Sequence, residues 1–236
     1  MKWASLTGPA FEDAKKEVAI LPIGGIERHG DHLPLGTDGF LPAYIADEVE
    51  KELDAIVMPT LWYGSCNAMR DFPGTIDVDS MALTNYLASL MREINRNGVK
   101  ILVVINGHGG NSTPINMAAR RISAETPLSI IVLDWWKDLG SEKSHLFAFP
   151  GHAGEDETSA MLAVWEGGVD MQRALSNDVR YPAFKIHSRL LDSKIYKMAI
   201  TGDATKATKE KGEILLRAAI ADLVKIIKSA KAELMI

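Results

Sequence analysis

The sequence holds a single cysteine, Cys66, in 236 residues. An internal disulfide framework is therefore excluded, and a reducing, cytoplasmic setting is expected. It has no basic-then-apolar leader with a small-residue cleavage site and no apolar run long enough to span a bilayer, so neither a secreted nor a membrane protein is expected. No block of positive charge stands out against a formal net charge of −5, so nucleic acid is not an expected partner. The lysine-rich stretch from Lys206 to Lys231 is interleaved with Glu210, Glu213 and Asp222 and reads as a solvated helix face. A Gly-x-Ser-x-Gly elbow is missing, and Cys66 has no ligand-type neighbour in sequence. Nucleophilic serine or cysteine catalysis is disfavoured on both counts. Internal repeats, low-complexity tracts and linkers are absent too, and residues 1–236 read as one domain.

What is present is ample apolar material, 47% of the chain, arranged as alternating runs. Strands are expected at Val18–Ile23, Ile56–Leu61, Ile101–Ile105 and Leu128–Leu133. The third run is continuous and β-branched, the pattern of a strand covered on both faces. Amphipathic helices are expected over Phe40–Leu53, Ser80–Asn97 (closed by Gly98), about Pro114–Ala124, and Glu155–Trp165. A long C-terminal helix carries a stripe of Ile214, Leu215, Ala218, Ala219, Leu223, Ile226 and Ile227. Residues 167–205 show no clear period. The βαβα rhythm predicts an α/β fold with a parallel sheet between helices.

Three strings carry chemistry. The first runs Glu27-Arg28-His29-Gly30-Asp31-His32-Leu33-Pro34-Leu35-Gly36-Thr37-Asp38 and the second Asn106-Gly107-His108-Gly109-Gly110-Asn111. Each follows a predicted strand, and in an open α/β sheet ligands bind just beyond the carboxyl ends of strands. Glu27, His29, Asp38 and His108 form a carboxylate–imidazole set that suits zinc, manganese or ferrous iron. Asp38, returning after a glycine-bounded loop, is placed to bridge two ions. Taken singly, each of these residues has an ordinary reading as a solvated acid or a hydrogen-bonded histidine; it is the clustering that favours a metal site. The glycines around His108 also admit a reading as a backbone anion cradle, although the string fits neither the dinucleotide nor the phosphate-loop pattern. The third string, Gly151-His152-Ala153-Gly154-Glu155-Asp156-Glu157-Thr158-Ser159, explains Glu155 and Asp156 as acids in a first helical turn. His152 is left to pass protons and Glu157 to reach a metal. The pair Trp135-Trp136 follows a strand and is a candidate pocket wall.

Together these strings resemble the signatures of the creatininase (creatinine amidohydrolase) family. Phe72-Pro73-Gly74-Thr75-Ile76 and Thr201-Gly202-Asp203-Ala204-Thr205 are similar to further family strings, so the resemblance spans almost the whole chain. It implies a three-layer α/β/α fold with a mostly parallel central sheet, and a hydrolase that cleaves C–N bonds of cyclic amides or formamides with metal-activated water. It also implies two divalent ions per chain (Zn, Fe or Mn) and a homo-oligomer, often a hexamer. Carried over, Glu27, His29, Asp38 and His108 are metal ligands with Asp38 bridging, and His152 is the general acid for the leaving nitrogen.

Several positions depart from the pattern. The family's creatinine hydrolases carry a glutamate ligand where this chain has Gly110; Glu157 is the natural replacement, and creatinine is disfavoured as substrate. Met69 stands where many members have histidine, and Arg28 and Asp31 replace the commoner Gln and Pro. The glycine-bearing branch includes an archaeal deformylase of a formamidopyrimidine nucleotide and a mycofactocin-maturation peptidase. Arg28, Arg70 and Lys185 are candidate partners for a nucleotide phosphate. The competing readings are a metallopeptidase and a degenerate, non-catalytic binding protein of the same fold.

Overall fold

The computed structural model describes residues 1–179, 182–184 and 186–235. A short helix α1 (Gly8–Asp13) precedes β1 (Val18–Ile23), α2 (Thr37–Glu52), β2 (Ile56–Val57), α3 (Ser80–Arg96), β3 (Ile101–Asn106), α4 (Ser112–Glu125) and β4 (Ser129–Asp134). There follow α5 (Trp135–Asp138), α6 (Glu155–Trp165), β5 (Ser176–Asn177), α7 (Arg189–Ile195), β6 (Gly202–Asp203) and α8 (Lys209–Glu233). Four strands form one parallel sheet in the order β2-β1-β3-β4, while β5 and β6 make a separate antiparallel pair.

Alternate residues of the strands feed two cores, as the period of two requires. Val18, Ile20, Ile101, Val103 and Ile105 pack against Leu41 and Ile45 of α2, Met161 of α6, and Leu215, Leu223 and Ile227 of α8. Ala19, Leu21, Ile23, Leu102 and Val104 pack against Leu87 and Met91 of α3 and Ile115 and Ile122 of α4. The result is the three-layer α/β/α arrangement expected from the resemblance. No helix among the described residues is long and apolar enough to cross a membrane.

Two boundaries differ from the sequence reading by three residues or more, each for a backbone reason. The strand expected over Ile56–Leu61 keeps ladder geometry only at Ile56–Val57, with one isolated bridge from Leu61 to Ile23. Ile20 O accepts from Met58 N at 2.9 Å and Pro22 O from Leu61 N at 3.0 Å, so the missing N–H of Pro22 faces this neighbour. Pro59 also lacks a donor, and the ladder lapses between two prolines that cannot bridge it. The second difference is that α2 starts at Thr37, three residues before Phe40, which places Asp38 in its first turn rather than in a loop. Pro42 lies inside this helix and gives the Asp38 carbonyl no i+4 donor. That carbonyl sits against Gly107, where an added Cβ would lie 1.8 Å from it, so the glycine lets the start of α2 close on the end of β3.

Candidate metal centre

Glu27 and His29 leave the end of β1, Asp38 opens α2, His108 follows β3, and His152 and Glu157 flank the start of α6. The structure brings all six together. Glu27, His29 and Asp38 are almost wholly buried, and His108 is nearly so.

Each histidine spends one ring N–H on a main-chain carbonyl. His29 Nδ1 donates to Glu27 O at 3.0 Å, His108 Nε2 to Ser65 O at 2.8 Å, and His152 Nε2 to Arg28 O at 2.9 Å. A carbonyl only accepts, so these contacts assign the tautomers and leave the other nitrogen of each ring for the site. His29 Nε2 faces Asp38 Oδ1 at 2.9 Å and Glu157 Oε2 at 3.6 Å. His108 Nδ1 faces Asp38 Oδ2 at 2.9 Å and Glu27 Oε1 at 3.2 Å. His152 Nδ1 faces Glu27 Oε1 at 3.5 Å, and its ring packs on that of His29 at 4.3 Å between centroids. Asp38 therefore turns one oxygen to each of two imidazoles, and the site divides into two nests that share it.

The electrostatics follow from burial opposed by charge. Burial alone would depress His29, but the Asp38 and Glu157 carboxylates override it and lift the ring well above its usual value. His108 is raised in the same way, against burial, by Glu27 and Asp38 with Cys66 also in contact. The carboxyls respond in kind: burial opposes ionisation, yet His108 lowers Glu27, and His29 and His108 hold Asp38 far below the ordinary range. Without metal, the surrounding carboxylates favour the charged form of both rings. Glu27 Oε2 remains buried with no hydrogen-bond partner. Once the rings give up their protons, this open carboxylate oxygen and the facing ring nitrogens are donors that a pair of divalent ions would satisfy, so the residues fit the expected metals.

Surrounding residues hold these groups in place. Thr75 Oγ1 accepts from Arg28 N at 3.0 Å, and Thr201 Oγ1 from His152 N at 2.9 Å, which gives both family-like threonine strings a supporting role. Asn111 accepts from Ser65 N at 2.9 Å and donates to Gly24 O at 2.8 Å, tying the Ser65 segment to the end of β1. Glu157 Oε2 accepts from Ala153 N at 2.6 Å. Glu155 turns away from the site to an ion pair with the half-buried Lys211 at 2.5 Å, which is more than the expected helix-dipole role. His32 is structural: it donates from Nε2 to Thr158 at 2.9 Å, and burial, with the His29 charge, pushes its ring down to about 4.

Beside the two nests lies a cavity of about 900 Å³, walled by Trp135, Trp136, Met69, Phe147, Tyr196 and His187 among others. The tryptophan pair does wall a pocket, and Met69 lines it too. The proposed phosphate partners are not brought to it: Arg28 is spent on Gly30 O and Asp31, Arg70 does not line the cavity, and Lys185 lies outside the described residues. The sequence reading missed Cys66, which reaches Glu27 and His108 in space although 39 and 42 positions separate them in sequence. Tyr196, edge-on to His152 at 5.8 Å, was also missed, and no sequence signal marks either residue.

The family model described as creatinine amidohydrolase matches residues 4–227. A creatinine amidohydrolase of Pseudomonas putida is 29% identical over 231 residues, covering 89% of this chain and 88% of its own. A mycofactocin precursor peptide peptidase of Mycolicibacterium smegmatis is 28% identical, covering 83% and 78%. A formylamino-ribosylaminopyrimidinone monophosphate deformylase of Methanothermus fervidus is 26% identical, covering 89% and 83%. Among solved structures, one described as "Creatininase Mn" superposes with a TM-score of 0.86 at 27% identity, covering 97% of this chain and 98% of its own.

Proposed function

The chain belongs to the creatininase, or creatinine amidohydrolase, family, and from that premise we propose that it is a binuclear metal-dependent amidohydrolase acting on a non-peptide C–N bond of a cyclic amide or formamide. The observation that carries this reading is Asp38, whose two oxygens each face a different histidine whose other nitrogen is anchored to the main chain. Glu27, His108 and Asp38 would hold one ion, and His29, Asp38 and Glu157 the other, with Glu157 supplying the carboxylate absent at Gly110. Bound there, the ions supply Lewis-acid polarisation of the carbonyl and a water acidified to a pKa of about 7.

The side chains do the rest. Glu27 and Asp38, held by their histidines, keep negative charge in the buried site and orient what binds there. His152 has its Nε2 proton fixed on Arg28 O, so Nδ1 is the atom that carries a proton to and from the reaction. It lies at the cavity wall, where a leaving nitrogen would collect that proton. Trp135, Trp136 and Phe147 give the substrate an apolar wall.

Among the described residues no lysine or arginine lines the cavity, which favours a neutral, phosphate-free substrate over a nucleotide. The backbone at Gly110 has no room for the family glutamate, since an added Cβ would lie 1.9 Å from Ser65 O. A cytoplasmic location and self-association belong to the same reading; the first is supported by the buried, unpaired thiol of Cys66.

The test is elemental analysis per chain before and after chelator, followed by a panel of cyclic amides, formamides and short peptides on the reloaded protein. Two ions per chain and cyclic-amide or formamide hydrolysis, both lost in Asp38→Ala, is the expected result. Peptide cleavage alone would move the reading to a peptidase. Metal bound without turnover on any class, or no metal bound, would leave a binding protein of this fold.

A further inference from the structure

Cys66 is fully buried, and its sulfur lies within 4.8 Å of ligand atoms on both Glu27 and His108, which are equally close to each other. Two further observations point to a ligand position rather than ordinary packing. Glu27 is itself 2% exposed, and its Oε2 has no hydrogen-bond partner. The sulfur also occupies space that only a glycine leaves open, since a Cβ on Gly25 would stand 2.9 Å from Sγ and 3.2 Å from Asp38 Oδ2. Ser65 and Asn67 line the substrate cavity but Cys66 between them does not, so the thiol faces the buried nest and is shielded from substrate.

We propose that Cys66 supplies a sulfur donor to the ion held by Glu27, His108 and Asp38, so that the two metal positions differ in kind. The inference rests on the metal reading above and adds a ligand to one half of it. When the metal–sulfur bond forms, the thiol hydrogen leaves as a proton to solvent, and no oxidant or reductant is needed. The nest with Cys66 then offers sulfur, nitrogen and oxygen, a mixture that suits zinc, ferrous iron or cobalt. The nest of His29, Asp38 and Glu157 offers nitrogen and oxygen only and accepts manganese as readily. Under mixed metals the chain should fill with two different ions.

The test uses the full chain stripped with chelator and reloaded with cobalt(II) alone. Thiolate-to-cobalt charge transfer in the near ultraviolet is expected in the natural protein. It should be lost in Cys66→Ser while bound cobalt stays near two per chain. Should the variant fail to fold, X-ray absorption of the zinc-loaded natural protein answers the same question, through a sulfur shell at about 2.3 Å. Two bound ions with neither charge-transfer band nor sulfur shell would overturn the cysteine ligand and leave the metal reading standing. No bound metal would overturn both.

Discussion

Gly110 gives the sharpest test of how the second string is built. Its ideal Cβ would stand 1.9 Å from Ser65 O and 2.6 Å from His108 Nε2, between the two atoms of the hydrogen bond that orients His108. For Gly110→Ala to fit, the Ser65 carbonyl must retreat by about 1 Å or more in an interior packed at crystal-like density. Overpacking of this kind costs about 1–3 kcal/mol. Loss of the His108–Ser65 bond adds about 0.5–1.5 kcal/mol. The sum, about 2–4 kcal/mol, corresponds to a fall in Tm of about 5–15 °C for a chain of this size. Metal affinity should also drop by about 10–100-fold, the usual penalty for removing a group that orients a ligand. Thermal unfolding of the chelator-stripped variant reads the first effect, and zinc titration reads the second. Gly110→Glu should be no better, although it restores the glutamate of the family's creatinine hydrolases. A Gly110→Ala protein with natural Tm and zinc affinity, or a Gly110→Glu protein that binds metal more tightly, would refute the steric argument.

Three other outcomes are expected. Lys211→Met strands the buried Glu155 carboxylate with only its Ala148 and Phe149 N–H partners, and should cost about 3 kcal/mol in urea unfolding, recovered largely by adding Glu155→Gln. Burial raises Asp156 from 3.8 to about 6. A carboxyl raised on folding contributes stability that is complete below its unfolded pKa and is lost as pH rises through the folded one. The metal-free protein should therefore lose up to about 3 kcal/mol between pH ~4 and ~7, and Asp156→Asn should flatten that slope; an unchanged slope would show Asp156 to be ordinary. Finally, His29 and His108 are held protonated in the metal-free site, so zinc uptake near neutral pH should release protons and weaken steeply as pH falls. Calorimetry in buffers of different ionisation enthalpy measures the release, and none at all would contradict the assigned charges.

The layout of the fold was legible because β1 and β3 are continuous apolar runs and α3, α6 and α8 carry clear helical signals. The six clustered residues were legible because they sit in strings at strand and helix ends. Two things were not. The start of α2 was hidden because Thr37-Asp38-Gly39 has no propensity for helix, and the turn is held instead by packing of its carbonyl on Gly107. The place of Cys66 was hidden because it lies in a loop before one short turn, Asn67–Met69, and only tertiary packing carries it to the end of β1. The region 167–205 stayed unreadable for a related reason: β5 and β6 are two residues each and α7 is seven, too short for any period to show.

The three ring N–H groups of His29, His108 and His152 all end on peptide carbonyls, and that has a consequence for how the site can vary over generations. Where an aspartate or glutamate orients a metal-binding imidazole, one codon change removes it. Here the orienting atoms belong to Glu27, Ser65 and Arg28 whatever side chains those positions carry. Arg28 and Ser65 are thus free to drift in identity without disturbing the rings they hold, and the space around the centre can be refitted to a new substrate while the centre itself is inherited intact. Damage comes through the path of the main chain, and so the glycines are the positions with the least freedom to change.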